Sequence, residues 1–348
     1  MVMHVLQLTG IGGVQQSILT LVVGLRQKGI NVCVFTYAGA EEYYVESLKK
    51  CGCEVFVSPY RENDLRNFKK IIGQINKWRV DSIHVHNTIP QIFCSAILVL
   101  LRKRVKGYVT EHSQDSKRRR YRILRCVDEL SYLPYEKIIT VSDSVKLVMM
   151  NWLKHIDRTK FVTIKNGIDT GKFSNAVPVG RESLGFQSGD FIIVSVGRLR
   201  PEKGFQTIVK ALKELPKKYK LLIIGDGPEK NRLEMLSKSL AIHDRVYFAG
   251  NKNNVESYFK AGDLYVSASQ SEGFGLTIIE AAAAGLPILA SDIPAFREIL
   301  PKSALFPVDS SRDLSMLINK HQYTQCNDVI KNYSSDRMVV DYIGVYNS

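Results

Sequence analysis

The feature that most constrains the fold of this 348-residue chain is an alternation of short apolar strands with amphipathic helices, which runs through the sequence twice. The first series starts with an apolar segment at 3–8, a glycine turn at 10–13 and a helical pattern over 14–28. The second series starts with an apolar segment at 191–196 and a helical pattern over 205–215. This alternation predicts parallel sheets covered by helices, so we expect two doubly wound, Rossmann-like α/β domains.

The boundary between the two series lies in a segment rich in Gly, Pro, Asn and Ser, which is typical of a linker. We therefore expect an N-terminal domain over 1–168, a linker over 169–186 and a C-terminal domain over 187–332. Ligands of doubly wound domains bind beyond the carboxyl ends of the strands. With two such domains, the expected binding site is the cleft between them.

Composition narrows the class of protein. Apolar residues make up 45% of the chain and charged residues 24%, which excludes disordered, collagenous and disulfide-scaffold proteins. No apolar run approaches the roughly 20 residues needed to cross a bilayer, and the first residues lack the pattern of a signal peptide. We therefore expect a cytoplasmic protein. The six cysteines are scattered, with one lone C-x-C at 51–53, so reduced thiols are expected rather than a zinc site.

The positive charge is concentrated in the first half of the chain. The net charge is +14, and residues 1–172 carry 27 Lys and Arg against 15 Asp and Glu, a net +12. The cations cluster at 102–106 and 117–125. Such clusters indicate an anionic partner, which could be nucleic acid, an anionic membrane or an acidic substrate, or else a solvated basic face without a partner.

The segment 271–287 carries the strongest chemical signal. Glu272 lies in a loop after a strand, and the glycine at Gly275 allows a ligand to approach the backbone closely. The following helix is expected to start near Phe274 or Gly275, and its free amides suit a phosphate or an oxygen-rich sugar. Glu280 is a lone carboxylate on an otherwise apolar helix, which is unusual unless it has a function.

A second signal follows the strand 191–196. Arg198 offers a planar fork for phosphate oxygens, and Lys203 adds a second positive charge five residues later. Two cations in one loop suit a diphosphate. The sequence contains no D-x-D or D-x-N triplet suited to a nucleotide-bound divalent ion, so we expect no metal site and no cofactor, with these cations neutralising the diphosphate.

The signals in the first half are weaker. Gly12 and Gly13 follow the first strand as G-x-G-G, which is not a dinucleotide fingerprint. His112 follows a strand and can reach a site at its carboxyl end. His84 and His86 alternate on one strand face, which could suggest a metal, but without a third ligand or a carboxylate nearby they are expected to pack within the sheet.

Taken together, these segments resemble the family 4 retaining glycosyltransferases of GT-B fold, of the bacterial polysaccharide and glycolipid type. The resemblance covers almost the whole chain, in order. The matching segments are Gly12-Gly13, the strand 81–86, Glu111-His112, Val141-Ser142, Asn166 to Asp169, Gly197-Arg198 to Lys203-Gly204, Gly225 to Pro228, and the E-x7-E pair Glu272 and Glu280.

The resemblance implies roles for residues of the C-terminal domain. Arg198 and Lys203 would neutralise the donor diphosphate and the leaving group, and Glu280 would hold the ribose hydroxyls. Glu272 would contact the donor sugar, together with the backbone amides around Phe274, Gly275 and Leu276. The loop 250–254 would lie near the base.

For the N-terminal domain, the resemblance implies that Gly12 and Gly13 let the first turn close over the donor phosphates, and that His112 faces the reacting sugar. A terminal helix over 333–348 would cross back to this domain. Acceptor contacts would come from loops such as 59–64 and 113–125. The implied reaction is retaining transfer from a nucleotide-diphosphate sugar, with UDP the favoured nucleotide, to a glycan or lipid-linked acceptor in capsule or O-antigen biosynthesis.

Two other functions remain open from the residues. One is a sugar-nucleotide epimerase of the same architecture, which would need no acceptor; a phosphorylase would need a pyridoxal-phosphate lysine, for which no segment argues. The other is a basic nucleic-acid-binding protein, which leaves Glu272 and Glu280 unexplained and lacks interleaved aromatic residues, so no nucleic-acid partner is expected. The basic clusters are instead expected to dock the protein peripherally on the inner face of the cytoplasmic membrane.

Overall fold

A computed structural model describes residues 1–10, 12–86, 88–101, 104–114, 119, 121 and 123–348. The chain divides into two compact units. The first unit comprises residues 1–167 together with 335–348, and the second comprises residues 168–334. Among the described residues, the longest apolar helices are too short to cross a membrane.

The first unit is built on a seven-stranded parallel sheet. Its strands are β1 (Val2–Leu8), β2 (Val32–Ala40), β3 (Glu54–Val57), β4 (Ser82–Val85), β5 (Lys106–Glu111), β6 (Lys137–Thr140) and β7 (Phe161–Thr163). The strand order is β3-β2-β1-β4-β5-β6-β7. The winding therefore reverses between β1 and β4, and this reversal is where doubly wound sheets bind ligands.

Within the described part of the first unit, six α-helices connect these strands. They are α1 (Gly13–Gln27), α2 (Glu42–Lys50), α3 (Arg66–Trp78), α4 (Thr88–Leu100), α5 (Leu124–Tyr132) and α6 (Asp143–Trp152). Helix α1 buries Ile18, Leu21, Val22 and Leu25, which recur with the helical period and pack against the sheet.

The second unit repeats the architecture. Its strands are β8 (Phe191–Val196), β9 (Tyr219–Ile224), β10 (Val246–Gly250), β11 (Leu264–Ser267), β12 (Pro287–Ser291), β13 (Leu305–Phe306) and β14 (Thr324–Gln325). The parallel order is β10-β9-β8-β11-β12-β13, and β14 pairs antiparallel with β12. This is the strand order of a dinucleotide-binding fold, with its reversal between β8 and β11. The prediction of two doubly wound α/β sheets is confirmed.

The helices of the second unit are α7 (Thr170–Ser174), α8 (Phe205–Lys213), α9 (Lys230–Ser239), α10 (Val255–Lys260), α11 (Leu276–Ala283), α12 (Pro294–Arg297), α13 (Ser311–Asn319) and α14 (Asn327–Asn332). The last helix of the chain, α15 (Ser335–Asn347), belongs to the first unit and packs on α1. The two helices approach closely where Gly24 meets Val339, because a Cβ on Gly24 would lie 2.4 Å from the valine Cγ2.

The segment 169–186, expected to be a linker, lies within the second unit. It contains α7, whose Phe173 is buried and meets Phe259 of α10 with ring centroids 6.0 Å apart. Leu184 and Phe186 are also buried. The Gly- and Pro-rich composition indicated a linker, but these three buried apolar side chains hold the segment against the second unit.

Candidate functional site

The loop after β8 is held against the end of β11. It contains a single helical turn at Pro201–Lys203, followed by Gly204 with φ of 66°. A Cβ at Gly204 would lie 2.0 Å from the carbonyl oxygen of Ala268, which directly follows β11. Only glycine allows this approach, and the approach brings Lys203 to the residues that follow β11.

Gly204→Ala should therefore destabilise the second unit. Left-handed backbone alone costs an alanine about 1–2 kcal/mol, and the clash with a backbone oxygen adds to that cost. Gly185→Ala is the matched control, because Gly185 has φ of 76° but no described atom lies within 4 Å of the position that its methyl group would take. Chemical denaturation should show a clearly larger loss of unfolding free energy for Gly204→Ala. Equal losses in the two variants would contradict the close approach.

Lys203 and Glu272 meet at the reversal point of the second sheet. The Lys203 Nζ lies 2.6 Å from Oε1 of Glu272, and the hydroxyl of Ser269 donates to the same oxygen at 2.8 Å. The side chains are 27% and 16% exposed, so the pair is partly shielded from water. The structure thus brings two predicted site residues together, as an ion pair between cation and carboxylate.

Arg198 is the other predicted cation of this loop. Its side chain is exposed, and no carboxylate in the described part of the chain forms an ion pair with it. Its neighbour Arg200 is also exposed and lies 3.9 Å from Glu202, as expected for a surface pair. Arg198 therefore offers a charge that is not shared with a carboxylate of the described residues.

Helix α11 follows the loop after β11, which contains Glu272. It begins at Leu276, one or two residues after the predicted start near Phe274 or Gly275, with Gly275 as its N-cap at φ of 111°. Its first turn contains no acidic side chain, and no side chain of the described residues caps it. The amide of Ile278 donates to the carbonyl oxygen of Gly275 at 3.0 Å, so the amides of Leu276 and Thr277 are the ones left for water or a ligand. The Phe274 side chain is buried against Tyr333, so only its backbone is open to a ligand role.

Glu280 lies one turn into α11, next to buried Ile279 and Ala281. Burial raises the pKa of Glu280 to about 7, while Lys172 lowers that pKa and Glu256 raises it. These two neighbours form their own ion pair, with Lys172 Nζ 3.1 Å from Glu256 Oε2. Neither was singled out from the sequence, because Lys172 lies in the segment interpreted as a linker. The loop 250–254 follows β10, two strands away from β8.

In the first unit, α1 starts directly after the glycine turn. Gly12 is its N-cap, with extended backbone; the first turn contains no acidic residue, and none of the side chains that the structure describes caps it. Gly13 is exposed. The first amides of α1 are thus available to an anion, as the predicted role of Gly12 and Gly13 requires.

The end of β5 is anchored by Glu111. Its carboxylate pairs with Arg119 at 2.9 Å and accepts a hydrogen bond from the Tyr132 hydroxyl. Arg119 also donates to the carbonyl oxygens of Ser113 and Gln114. This cation of the basic cluster is only 13% exposed and has a structural contact, unlike a free surface charge.

His112 is connected to three other histidines. His4 of β1, His84 of β4 and His86 just after β4 are fully buried, and His86 Nδ1 lies 3.2 Å from His112 Nε2. Burial lowers the pKa of His4 to about 3 and that of His112 to about 4, so these rings are neutral near pH 7. His4 was not singled out because its sequence neighbours are those of an ordinary buried strand.

These histidines are also the described residues that best fit a metal ligand set. One ring nitrogen from each of His4, His84 and His86 lies within 4.8 Å of the others. However, His84 uses both ring nitrogens for hydrogen bonds, to Tyr346 at 2.6 Å and to Thr110 at 2.7 Å. The arrangement is that of a hydrogen-bonded network within the sheet, in line with the packing predicted for His84 and His86.

Helix α5 presents its apolar side chains to solvent. Ile123 just before it, then Val127 and Leu130, are 84%, 49% and 66% exposed and recur with helical spacing. The buried face is polar instead, with Asp128 accepting from the Trp152 indole at 2.9 Å and Ser131 bonded to Gln91. The preceding helix α4 contacts α5 and ends in Val99 and Leu100, which are 63% and 60% exposed.

Along the sequence, the basic cluster 102–106 follows α4 and the basic cluster 117–125 leads into α5. Arg104 and Lys106, which follow α4, are exposed. Of the residues singled out in the clusters, Arg102, Lys103, Lys117, Arg118, Arg120 and Arg122 lie outside the described residues. The sequence analysis did not predict that the apolar face of α5 is exposed, although the helical spacing of Ile123, Val127 and Leu130 is visible in the sequence.

Comparisons with known proteins identify glycosyltransferase families in both halves of the chain. A family model described as Glycosyltransferase Family 4 matches residues 11–172, and one described as Glycosyl transferases group 1 matches residues 178–322. The lipopolysaccharide core biosynthesis glycosyltransferase LpsD of Rhizobium meliloti is 27% identical over 80% of this chain and 75% of its own length. The alpha-monoglucosyldiacylglycerol synthase of Streptococcus pneumoniae is 26% identical over 83% of this chain and 70% of its own length.

Solved structures show the same fold. Anabaena HepE, crystallised with UDP and glucose, superposes with a TM-score of 0.86 at 17% identity, covering 100% of this chain and 99% of HepE. A glycosyltransferase from Rickettsia africae superposes with a TM-score of 0.85 at 22% identity, covering 99% of this chain and 97% of that protein.

Proposed function

This chain belongs to the family 4 glycosyltransferases, which have the GT-B fold, and we propose that it transfers a sugar from a nucleotide-diphosphate sugar to a glycan or lipid-linked acceptor with retention of the anomeric configuration. The donor we propose is a UDP-sugar, and the process is surface polysaccharide biosynthesis. Support for the donor comes from HepE, which was crystallised with UDP and glucose. Support for the process comes from relatives named for lipopolysaccharide and O-antigen biosynthesis.

The observation that carries the proposal is the grouping of charges at the reversal point of the second sheet. Arg198 carries a positive charge that no described carboxylate shares, and Lys203 is oriented by Glu272 at 2.6 Å. The open start of α11 adds positive backbone dipoles at the end of the loop that contains Glu272. A diphosphate needs such a set of donors, and Glu280 supplies a carboxylate for ribose hydroxyls.

In the proposed reaction, the bond between the sugar C1 and the diphosphate oxygen breaks, and the acceptor oxygen bonds to C1 on the same face. The acceptor hydroxyl gives its proton to the departing phosphate oxygen. Arg198 and Lys203 stabilise the negative charge that develops on that oxygen. Glu272 and the amides of Gly275 and Leu276 contact the donor sugar, and the first amides of α1 after Gly12 contact the donor phosphates.

A thermal-shift screen with nucleoside diphosphates and their sugars tests this proposal. A ligand at a hundred times its dissociation constant stabilises the folded state by about 2.7 kcal/mol. We expect UDP and one UDP-sugar to raise the melting temperature, and the corresponding monophosphate to raise it less. No shift with any nucleoside diphosphate would refute the donor site. Consumption of the nucleotide sugar without an acceptor, yielding an isomer, would identify an epimerase.

We further propose that turnover requires no divalent metal, because Arg198 and Lys203 supply the positive charge. Activity should persist in excess EDTA at close to its untreated level. The measurement is the initial rate with and without chelator, with added Mn²⁺ or Mg²⁺ as the reverse test. A complete loss in EDTA that either ion restores would contradict the prediction.

We propose that the apolar face of α5 and the end of α4 dock on an anionic membrane at its cytoplasmic face. Ile123, Val127 and Leu130 supply apolar area that the fold leaves uncovered, and exposed Arg104 and Lys106 supply attraction to lipid phosphates. Each cation near an anionic bilayer contributes about 1 kcal/mol. Docking should therefore need both features and weaken with salt.

Co-sedimentation with phosphatidylglycerol-containing vesicles at low salt should be lost in Val127→Ser/Leu130→Ser and weakened in Arg104→Glu/Lys106→Glu. It should also weaken in about 0.5 M salt, where the Debye length falls to a few ångströms. Val177→Ser/Met235→Ser is the matched control, since these exposed apolar residues lie in the second unit. Arg119 is left unchanged, because its loss would break the Glu111 contact. If Val127→Ser/Leu130→Ser and Val177→Ser/Met235→Ser bound the vesicles equally well, α5 would not be the docking surface.

A further inference from the structure

Four histidines and one tyrosine of the first unit form a continuous chain of contacts that the proposed reaction does not use. From one end, Tyr346 of α15 lies 3.5 Å from His4 Nε2, and His4 Nδ1 lies 2.9 Å from His86 Nε2. His86 Nδ1 then lies 3.2 Å from His112 Nε2. Tyr346 also contacts His84 Nδ1 at 2.6 Å. The chain crosses the reversal point of the sheet, where His4 pairs in register with His84.

The row of histidine contacts ends at His112. The Nδ1 atom of His112 is buried and has no hydrogen-bond partner among the described residues. A buried polar atom without a partner costs about as much as a lost hydrogen bond, so it requires an explanation. A ligand that supplies the partner is one such explanation.

The hydrogen-bonded row of His4, His86 and His112 can adopt only two consistent sets of tautomers. Each neutral imidazole has one N–H donor and one lone-pair acceptor. If one ring in the row were reversed, two N–H groups or two lone pairs would face each other. The tautomers of His4, His86 and His112 are therefore coupled, and the orientation at one end fixes the orientation at the other.

Tyr346 decides between the two arrangements. Its hydroxyl has a single hydrogen, and the contact to His84 at 2.6 Å is much shorter than the contact to His4 at 3.5 Å. A neutral His84 has one N–H, so only one of its two hydroxyl partners can donate to it. The contact to Tyr346 at 2.6 Å is shorter than the contact to Thr110 at 2.7 Å, and hydroxyl donors form the shorter hydrogen bonds, so we infer that Tyr346 donates to Nδ1 of His84. The N–H of His84 at Nε2 then donates to Thr110 at 2.7 Å. The only role left for Tyr346 toward His4 is to accept from Nε2–H.

The tautomers of the remaining rings follow from this assignment. His4 carries its hydrogen on Nε2, so its Nδ1 accepts from Nε2–H of His86. Nδ1 of His86 then accepts from Nε2–H of His112. The open nitrogen of His112 is left with a lone pair, and it can accept a hydrogen bond from a hydroxyl group.

We propose that Tyr346, His4 and His86 are positioning residues that hold His112 in its Nε2–H tautomer, so that Nδ1 accepts a hydrogen bond from a hydroxyl of the bound sugar. The sugar as ligand rests on the proposed function, whereas the tautomer of His112 does not. Helix α15, which ends the described chain, thereby takes part in the chemistry of a residue far from it in sequence.

The test is long-range ¹H–¹⁵N NMR of the full chain labelled at histidine. In the unmodified protein, His112 should show a protonated Nε2 and an unprotonated Nδ1. Tyr346→Phe removes the deciding hydroxyl and should shift the nitrogen resonances of His112 toward a mixture of tautomers, although the mutation lies three contacts away. Tyr342→Phe is the matched control. Tyr342 is also buried on α15, and its hydroxyl contacts Thr110 at 3.3 Å rather than a ring of the row from His4 to His112.

Without added metal, three results would overturn the proposal: a protonated Nδ1 on His112 in the unmodified protein, an unchanged His112 in Tyr346→Phe, or equal changes in the two variants. Shifts of His4, His84 and His86 on adding Zn²⁺ would reveal a metal site in place of the chain and also overturn it. Tyr346→Phe should weaken binding of the UDP-sugar by about two- to tenfold, with Tyr342→Phe close to unmodified. If the protein binds no nucleotide sugar, the proposed function fails while the tautomer result still stands.

Discussion

Arg198→Ala should lower kcat/KM for the nucleotide sugar by about ten- to a hundredfold and leave the free energy of unfolding nearly unchanged. A hydrogen bond to a charged group contributes about 1.5–3 kcal/mol, and each 1.4 kcal/mol is about tenfold. The effect is expected to be this large because no described carboxylate shares the charge of Arg198, whereas Lys203 is paired with Glu272. Steady-state kinetics and denaturant titration measure the two quantities.

Arg200→Ala is the matched control for this prediction. Arg200 lies two residues further along the same loop, is 48% exposed and lies 3.9 Å from Glu202. Its removal should change kcat/KM by less than about twofold, as expected for a surface pair. If the two variants lost activity equally, the loop as a whole would be responsible, and the role given to Arg198 would be wrong.

Glu280→Gln should reduce donor affinity by about ten- to a hundredfold, because a neutral amide replaces the carboxylate that is proposed to hold the ribose hydroxyls. The substitution conserves size, so α11 should retain its packing. Isothermal titration with UDP, and with inorganic pyrophosphate as a control, separates ribose contacts from phosphate contacts. The variant should lose affinity for UDP and retain its affinity for pyrophosphate.

The same variant should change how stability depends on pH. Burial raises the pKa of Glu280 from 4.5 to about 7 in the folded protein. Between these two values the unfolded chain has released the proton and the folded chain has kept it, so this carboxyl makes stability fall as pH rises. The slope approaches about 1.4 kcal/mol per pH unit for one proton and levels off above pH 7.

The difference in unfolding free energy between Glu280→Gln and the unmodified protein isolates this effect, because groups distant from Glu280 titrate alike in both proteins and cancel. That difference should grow in favour of the variant from about pH 4.5 to about pH 7. A difference that is constant over this interval would show that Glu280 is not held in a desolvating environment.

Local patterns in the sequence were sufficient to predict the start of the second sheet. The strand predicted over 191–196 has these bounds in the structure, and the helix predicted over 205–215 is α8 (Phe205–Lys213). These segments are short, strongly apolar or periodic, and bounded by Gly or polar residues, so local preference and tertiary packing agree. The position of Glu280 on a buried helix was predictable for the same reason.

Contacts between distant residues were not predictable. The ion pair of Lys203 with Glu272 joins residues 69 positions apart and depends on the neighbouring positions of β8 and β11. The contact of His4 with His86 depends on the pairing of β1 with β4. Sequence periodicity indicates which face of a strand a residue occupies, but it does not give the order of strands in the sheet.

The burial of side chains on α5 was also not predictable from the sequence pattern. Asp128 is buried on α5 while Leu130 is exposed, because the polar residues of that helix meet Trp152 and Gln91 across the unit. A rule that apolar residues lie inside assigns this helix the opposite orientation. The same exception is what makes the helix a candidate membrane surface.

The central claim is that this protein transfers a sugar from a nucleotide-diphosphate donor with retention. The most direct measurement is ¹H NMR of the reaction with an α-linked UDP-sugar and an acceptor, in which the coupling constant of the new anomeric proton reports the linkage. The account predicts release of UDP and a small coupling constant, which signifies an α-linked product, and the signal should be greatly reduced in Arg198→Ala. A β-linked product from the α-linked donor, or an α-linked product formed equally fast by Arg198→Ala, would contradict it.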